Sequence, residues 1–388
     1  MSIKLSHSQI DTYAQCPKKW YLQNRERLVP VVKGSALVIG TALDAAFNDI
    51  LLNHGKSDTQ LFRIGLRSFN RAWKEQEDRY LGKISLAKNP NILYTKKDFE
   101  EGLLTPRDGE KIEEYFQEIL PKFQERLQEF TSGYDLFQHS RELHKSFEYF
   151  SEEQKSIYNY VNWISVKRKA PYILRAYIKE LLPQIDKVVS VQTDLSTTDD
   201  EGNILQGVAD FVVQLKQFPG ENIIADNKSS SKSYLNESYG PGSVQNSSQL
   251  SKYKHILNYR DNMNISKGAY LVLVKELLQT KNKRCKSCGF DSVGLAKTCD
   301  NKFGKKRCGG EWGIEISYET QTRLVVEEIS EETERLAMEK VDETIQAIKE
   351  ERFDPNPEAC DFQYGHRCPY YLYCHEDRMD GLIKVEKK

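Results

Sequence analysis

Two aspartates and a lysine occur in neighbouring segments that are rich in β-branched residues. Asp210 closes a Gly-Val-Ala-Asp run, and Asp226 opens an Asp-Asn-Lys run that ends at Lys228. If the two segments are adjacent antiparallel strands, both carboxylates can reach one metal ion, and hard oxygen ligands suit Mg²⁺ or Mn²⁺. Lys228 lies two residues beyond Asp226, on the same face of an extended strand. Its ammonium can orient an attacking water and offset charge developing on a phosphate.

Eight cysteines form two sets of four. One set comes from opposite ends of the chain and consists of Cys16, Cys360, Cys368 and Cys374; the other is local and consists of Cys285, Cys288, Cys299 and Cys308. In a reducing compartment an even number of cysteines indicates metal binding rather than disulfides, because cellular thiols keep cystines open.

The local set is typical of a zinc knuckle. Cys285 and Cys288 form a Cys-x-x-Cys-Gly motif, Cys308 precedes a glycine, and eight residues lie between Cys299 and Cys308. A tetrahedral Cys₄ site tolerates one long ligand loop, so we predict structural zinc, with unliganded buried thiols as the alternative. Basic residues flank the knuckle, so it is expected either to touch a nucleic-acid backbone or to act as a plain stabilising lid.

The elements that must position these residues follow from hydrophobic periodicity. Segments 188–191, 205–213 and 223–226 are predicted strands, with turns at 199–203 and 218–222. Further strands are expected at 269–274 and near 314–316. Helices are expected from about Ser8 into Trp20 with Cys16 on it, from near Gly40, over 249–259, and around 338–348.

The predicted organisation has five parts. These are 1–57 with the N-terminal cysteine and first site helix, 58–183 as a helical insertion, 184–280 as the core sheet and the following helix, 281–311 as the Cys₄ insertion, and 312–388 with the last core strand, a long helix and the C-terminal cysteines. The sum is an α/β or α+β domain with insertions.

Composition narrows the class of protein. The chain has 388 residues, is 39% hydrophobic and carries a formal net charge of −1, which does not mark it as a nucleic-acid binder. No stretch approaches the roughly 20 apolar residues of a membrane span, so we expect a soluble, cytoplasmic protein. The seven histidines show no ligand spacing and are expected to be ordinary. Near the last cysteines, Tyr370, Tyr371 and Tyr373 are expected to be core, with base stacking as the alternative.

The ordered set of motifs resembles the PD-(D/E)xK nuclease superfamily, and within it the RecB-like branch of the CRISPR-associated exonucleases and the AddB nuclease domain. The matching residues are Gly40 with Asp44, Gly207 with Asp210, Asp226 with Lys228, and Gln249 with Tyr253, the last two sharing a helix face. The resemblance implies a restriction-endonuclease-like mixed sheet flanked by helices. Asp44 stands where the family usually has histidine, and an aspartate there also favours Mg²⁺ or Mn²⁺.

The same resemblance implies roles for these residues. Asp210, Asp226, the carbonyl of Asn227 and Asp44 would hold the metal, Lys228 would activate water, and Gln249 and Tyr253 would position the scissile strand. In that branch a 4Fe-4S cluster is held by one cysteine before the nuclease motifs and three after them, as Cys16, Cys360, Cys368 and Cys374 are arranged, although zinc accepts the same four thiolates.

The function implied is a metal-dependent DNA nuclease, preferentially an exonuclease on single-stranded DNA. The sequence has no Gly-x-x-x-x-Gly-Lys-Ser/Thr loop and so no recognisable helicase motor; it would act on exposed strands or beside a separate helicase, recombination or adaptation partner. The alternatives are a catalytically inactive iron-sulfur subunit for DNA binding or assembly, which Asp44 leaves open, and a structure-selective endonuclease.

Overall fold

The structure is a computed structural model that describes residues 2–31, 34–81, 105–114, 117, 151–232, 235–292, 298–299, 301–303, 306–360 and 368–385. The α-helices are α1 (His7–Gln15), α2 (Pro17–Asn24), α3 (Ser35–Leu52), α4 (Asp58–Tyr80), α5 (Pro106–Glu114), α6 (Glu152–Lys167), α7 (Ala170–Ala176), α8 (Ser248–Asp261), α9 (Glu331–Lys349) and α10 (Tyr371–Glu376). A π-helical turn (Tyr177–Leu181) follows α7, and short 3₁₀ turns occupy Leu182–Gln184 and Pro357–Ala359.

The strands are β1 (Lys4–Ser6), β2 (Leu28–Pro30), β3 (Ile185–Asp194), β4 (Thr197–Thr198), β5 (Ile204–Gln206), β6 (Val208–Leu215), β7 (Phe218–Ser230), β8 (Lys267–Val274), β9 (Leu278–Cys285), β10 (Asp291–Ser292), β11 (Lys302–Phe303), β12 (Lys306–Arg307), β13 (Trp312–Glu319), β14 (Thr322–Glu328) and β15 (Leu382–Lys384). Within the described ranges no helix is both long and apolar enough to cross a bilayer.

A five-stranded mixed sheet forms the centre, in the order β14-β8-β7-β6-β3. β7 and β8 run parallel, while the other neighbours are antiparallel. One face of the sheet packs in a hydrophobic core with α3, α4 and α7, and the other packs with α1, α8 and α9. The predicted mixed sheet flanked by helices is therefore confirmed.

Two predicted elements are each interrupted. The helix expected from Ser8 into Trp20 is broken at Cys16, whose backbone is extended (φ −161°, ψ 108°). The cause is Pro17, because a residue that precedes proline is disfavoured in the helical conformation. The strand expected over 205–213 divides at Gly207 into β5 and β6, which belong to different sheets. The prediction of a continuous element was wrong in both places.

Other boundaries also differ from prediction. The turn expected at 218–222 lies inside β7, and the chain reverses at residues 216–217. The helix expected from near Gly40 begins at Ser35. The strand expected near 314–316 is β13, which pairs with β9 outside the core sheet, whereas β14, absent from the prediction, is the edge strand of that sheet. The described parts of 58–183 are helices, and the helical pattern expected at 82–104 and 118–150 lies outside the described residues.

The two ends of the chain are held together by direct contacts. β2 pairs with β15, and the Tyr370 hydroxyl, which is fully buried, donates to the Leu28 carbonyl at 2.8 Å. Tyr370 is therefore core, as expected, and base stacking is excluded for it. The Phe353 ring stacks on Trp20 at a centroid distance of 5.8 Å and contacts the Tyr21 ring at 4.9 Å. These contacts fix the C-terminal segment against α2.

We expect Phe353→Ala to lower the free energy of unfolding by about 2 kcal/mol, because it removes a half-buried ring from this aromatic cluster. The measurement is the midpoint of thermal unfolding. Ile383→Ala is the control, since Ile383 is 49% exposed and should change the midpoint little. Equal midpoints for the two variants would show that the aromatic cluster does not hold the termini.

Candidate active site

Strands β6 and β7 bring two of the predicted carboxylates together. Their antiparallel register pairs Phe211 with Ala225, which sets Asp210 beside Asp226 one position further on. The two carboxyl groups interact through charge, and Asp226 is 4% exposed while Asp210 is half-buried. Two acidic groups therefore lie side by side at the middle of the sheet.

Asp44 reaches the same place from α3. Gly40, one turn earlier, lies against the end of β7, since a Cβ atom there would be 3.5 Å from the Ser229 hydroxyl. Asp44 is the most accessible of the three carboxyl groups and lies on the solvent side of the site. It interacts with Asp226 and Asp210 through charge.

Lys228 is held in place by three groups. Its ammonium forms an ion pair with Asp226, donates to Gln249 Oε1 at 3.1 Å and lies 5.6 Å from the centre of the Tyr270 ring. Burial alone would lower the pKa of Lys228, but the adjacent carboxylate of Asp226 raises it above its ordinary value. Lys228 therefore remains a cation, and Gln249 orients it.

Gly207 makes room for Tyr253. A Cβ atom at Gly207 would be 2.8 Å from Tyr253 Cε1, so this close approach of strand and ring admits no side chain. The Tyr253 hydroxyl lies next to Gln249, and burial raises its pKa. The Gly-x-x-Asp and Gln-x-x-x-Tyr motifs are thus in contact at the residue where the strand divides.

Asn227 lies on the opposite face of β7. Its side chain is buried beside the hydroxyl of Tyr177, which belongs to the core formed with α3 and α4. Because successive side chains alternate across a strand, Asn227 cannot direct its amide to Asp226. Its predicted contribution to metal binding is accordingly limited to the main-chain carbonyl.

His7 was missed by the sequence analysis, which treats it as an ordinary histidine. Its ring lies 6.5 Å from the Tyr253 ring in an edge-to-face arrangement, and its Nε2 is 3.0 Å from Asp11 Oδ2. Burial, followed by the charge of Lys252, lowers the pKa of His7 to about 4, so the imidazole is neutral near pH 7. The parallel pairing of β1 with β5 puts His7 here, and a three-residue strand leaves no periodic signal in a sequence.

The charge balance of the site requires a further cation. Burial, followed by the charge of Asp226, raises the pKa of Asp210 to about 9, and partial burial with the charge of Asp226 raises that of Asp44 to about 7. The ammonium of Lys228 contacts these carboxyl groups directly, through its ion pair with Asp226. Three carboxyl groups around one ammonium will therefore either retain protons or bind a divalent ion, and their oxygen atoms are the donors that hard cations prefer.

The local cysteines converge at the end of a ribbon formed by β9, β10 and β13. The sulfur atoms of Cys285, Cys288, Cys299 and Cys308 all lie within 4.8 Å of one another. Cys285 Sγ is 3.6 Å from Cys308 Sγ, and Cys288 Sγ is 3.7 Å from Cys299 Sγ. These four cysteines form a candidate metal site. Among the described residues, the oxygen atoms of the three aspartates are more widely spaced than these sulfur atoms.

The terminal cysteines converge at the junction of the two chain ends. Cys16, between α1 and α2, accepts hydrogen bonds from the backbone N–H groups of Lys19 and Asn356, each at 3.4 Å. Cys368 N donates to the Cys360 carbonyl at 3.0 Å. Burial, followed by the charges of Cys368, Cys16 and Cys360, raises the pKa of Cys374, so all four thiols share one neighbourhood. Their sulfur atoms are not gathered as closely as those of the local set.

Comparison with known proteins identifies one family. Residues 4–375 match the family described as the PD-(D/E)XK nuclease superfamily, which is nearly the whole chain. A search of curated proteins gives no match. Nucleases of this superfamily use divalent metal ions, in agreement with the oxygen donors of the site.

We expect Asp210→Asn to stabilise the metal-free protein at pH 8 and to have little effect at pH 4. The folded-state pKa of Asp210 is raised to about 9, so its stabilising contribution is present below about pH 4 and is lost as pH rises through 9. Asparagine is neutral throughout this window. The measurement is the thermal unfolding midpoint against pH, without added divalent metal. A midpoint for Asp210→Asn at pH 8 no higher than that of the wild type would contradict the charge balance described above.

Proposed function

Since the chain belongs to the PD-(D/E)XK nuclease superfamily, we propose that it is a Mg²⁺- or Mn²⁺-dependent deoxyribonuclease that degrades single-stranded DNA from an end. The observation that carries the proposal is the Lys228 ammonium, held between Asp226 and Gln249 beside a second, half-buried carboxyl group, that of Asp210. A structural ion pair needs one carboxylate, whereas this site supplies three.

The mechanism assigns each side chain a task. The divalent ion would be held by Asp210, Asp226, Asp44 and the Asn227 carbonyl, and when bound it would polarise the phosphate and lower the pKa of the attacking water. Lys228 orients that water and offsets charge developing on the phosphate oxygens. Gln249 positions Lys228, and Tyr253 packs on Gly207 at the edge of the site, where it can contact the scissile strand.

Several features support single-stranded DNA and an end as the substrate. The motif order resembles that of the RecB-like branch, including its exonucleases. The sequence contains no phosphate-binding loop of a helicase motor, so the enzyme acts on strands that are already exposed. A separate helicase, recombination or adaptation protein would supply such strands.

We propose that Cys16, Cys360, Cys368 and Cys374 hold a 4Fe-4S cluster. Four thiols converge, and backbone N–H groups donate to Cys16 as they do to cluster thiolates. The wider spacing of these sulfur atoms suits a cluster better than a single zinc ion. The cluster would reinforce the junction at which Phe353 and Tyr370 already join the chain ends, and we assign it a structural role.

We propose zinc for the local set. A tetrahedral ion with Zn–S bonds of about 2.3 Å separates its sulfur ligands by about 3.8 Å. The measured separations of 3.6 and 3.7 Å support this geometry. The N–H groups of Cys299 and Gly309 bond across to Gly310 and Cys299 carbonyls at 2.9 Å, so the loop is preformed.

We expect Lys228→Ala to reduce Mg²⁺- or Mn²⁺-dependent cleavage of end-labelled linear single-stranded DNA by at least about 10³-fold, because the water loses its orienting cation. Lys187→Ala, an exposed lysine on β3, is the matched control and should cleave normally. Circular single-stranded DNA should resist cleavage because it has no end.

Three results would redirect the proposal. Cleavage of the circle would indicate an endonuclease. Full activity in Lys228→Ala would remove the assigned chemistry. If the iron-loaded wild type does not cleave DNA, the result would favour the inactive DNA-binding or assembly subunit. The aspartate at position 44, where the family usually has histidine, would then be the first residue to test as the cause.

We expect the anaerobically purified protein to contain about four iron atoms and about one zinc ion per chain. Cys374→Ser should lose iron and keep zinc, while Cys299→Ser should lose zinc and keep iron, because the two cysteine sets are separate. Elemental analysis measures both. Loss of both metals in both variants, or zinc alone in the wild type, would contradict the assignment.

A further inference from the structure

We propose that the zinc-knuckle ribbon is a phosphate-binding arm that holds single-stranded DNA away from the scissile bond. This inference rests on the function proposed above and names a second contact surface for the same substrate. The arm is defined as the described residues between 278 and 319, comprising β9, β13 and the elements between them, and its tip as the part from the Lys281–Ile316 pair outward, residues 281–316.

Charge is concentrated in the tip. Residues 281–316 contain nine Lys and Arg against four Asp and Glu, a formal charge of +5, so the other 352 residues carry −6. A zinc ion with four thiolates has a net charge of −2, which leaves the tip at +3. A positive tip on an otherwise acidic protein attracts polyanions to one place.

The basic side chains at the tip are available to a ligand. Lys302, Lys306 and Arg307 are exposed, and within the described residues none of them forms an ion pair. Lys286 has Glu311 at 3.3 Å, but both are exposed, and such a pair contributes little. Phe290, also in the tip, is 40% exposed and offers a ring for base stacking. Exposed cations together with an exposed aromatic ring are typical of surfaces that bind single strands.

The base of the arm begins next to the active site. β7 and β8 are parallel and end at the same edge of the sheet, with Lys228 paired to Val272 and Ser230 to Val274. β9 starts four residues after Val274, and Lys275 lies near enough to Asp44 for their charges to interact. The Tyr318 ring of β13 packs on Tyr172 of α7 at 5.5 Å, which anchors the base.

The arm is long enough to reach distant phosphates. β9 and β13 pair over eight consecutive positions, from Leu278 with Glu319 to Cys285 with Trp312. At about 3.3 Å per residue the ribbon spans about 26 Å. The four cysteines of the candidate metal site lie at its far end, close to the tip cations in the sequence. Phosphates bound at the tip would therefore be several nucleotides from the one that is cleaved.

The test compares two triple variants that each remove three positive charges. The first is Lys302→Gln/Lys306→Gln/Arg307→Gln in the tip, and the control is Lys56→Gln/Arg63→Gln/Arg67→Gln, whose exposed residues lie on α4 or just before it. The full chain is titrated with a fluorescent single-stranded DNA of about 30 nucleotides, without added Mg²⁺ or Mn²⁺, over a series of salt concentrations. Zinc content is measured for each variant.

We expect the tip variant to bind DNA on the order of tenfold more weakly and to reduce the slope of log K against log salt by about 2, because each phosphate contact on a single strand contributes about 0.7. Its zinc content should be unchanged, and the control should match the wild type. The proposal would be overturned if the tip variant kept the affinity and slope of the wild type. It would also be overturned if the tip variant and the control lost affinity equally. Because binding is measured without cleavage, this result is distinct from failure of the wild type to cleave.

Discussion

The structure depends on the placement of two carboxyl groups side by side on neighbouring strands at the middle of the sheet. The antiparallel pairing of β6 with β7 brings Asp210 to Asp226, and one ammonium, that of Lys228, cannot balance both of them together with Asp44. Such a group is unfavourable unless it binds protons or a divalent cation. This unfavourable electrostatic energy is located at the centre of the fold, where α3, α8 and β7 meet. A hydrolytic metal site would account for such an arrangement, because a bound divalent cation would offset the negative charge.

The support around the site is built from long-range contacts between chain ends. β1 pairs with β5 and so places His7 against Tyr253, while Phe353 and Tyr370 fix the C-terminal segment to α2 and β2. The proposed cluster lies at this junction. Its loss would loosen α1 and, through His7, the helix that carries Gln249 and Tyr253. A structural cluster can therefore influence the nuclease site without touching the substrate.

Part of this arrangement could be predicted from sequence. β-branched runs and turn residues indicate β6 and β7, and helical spacing indicates α8 and α9, because local periodicity reflects which face is buried. The ligand sets could be proposed from residue type and order. By contrast, the contact between Gly207 and the Tyr253 ring joins distant parts of the chain, and the position of His7 follows from the pairing of a three-residue strand. Neither feature therefore has a local signal in the sequence. β14 was missed because an edge strand with half-exposed residues shows weak alternation.

In the proposed account of substrate handling, the tip would hold distant phosphates while Lys228 and the carboxylates would act on one bond. The central claim of that account is that the three aspartates bind the hydrolytic metal. Anomalous diffraction from crystals grown with Mn²⁺ tests it most directly. The account predicts a manganese peak bounded by Asp44, Asp210 and Asp226 that is absent in Asp210→Asn. A peak elsewhere, or an unchanged peak in the variant, would contradict it.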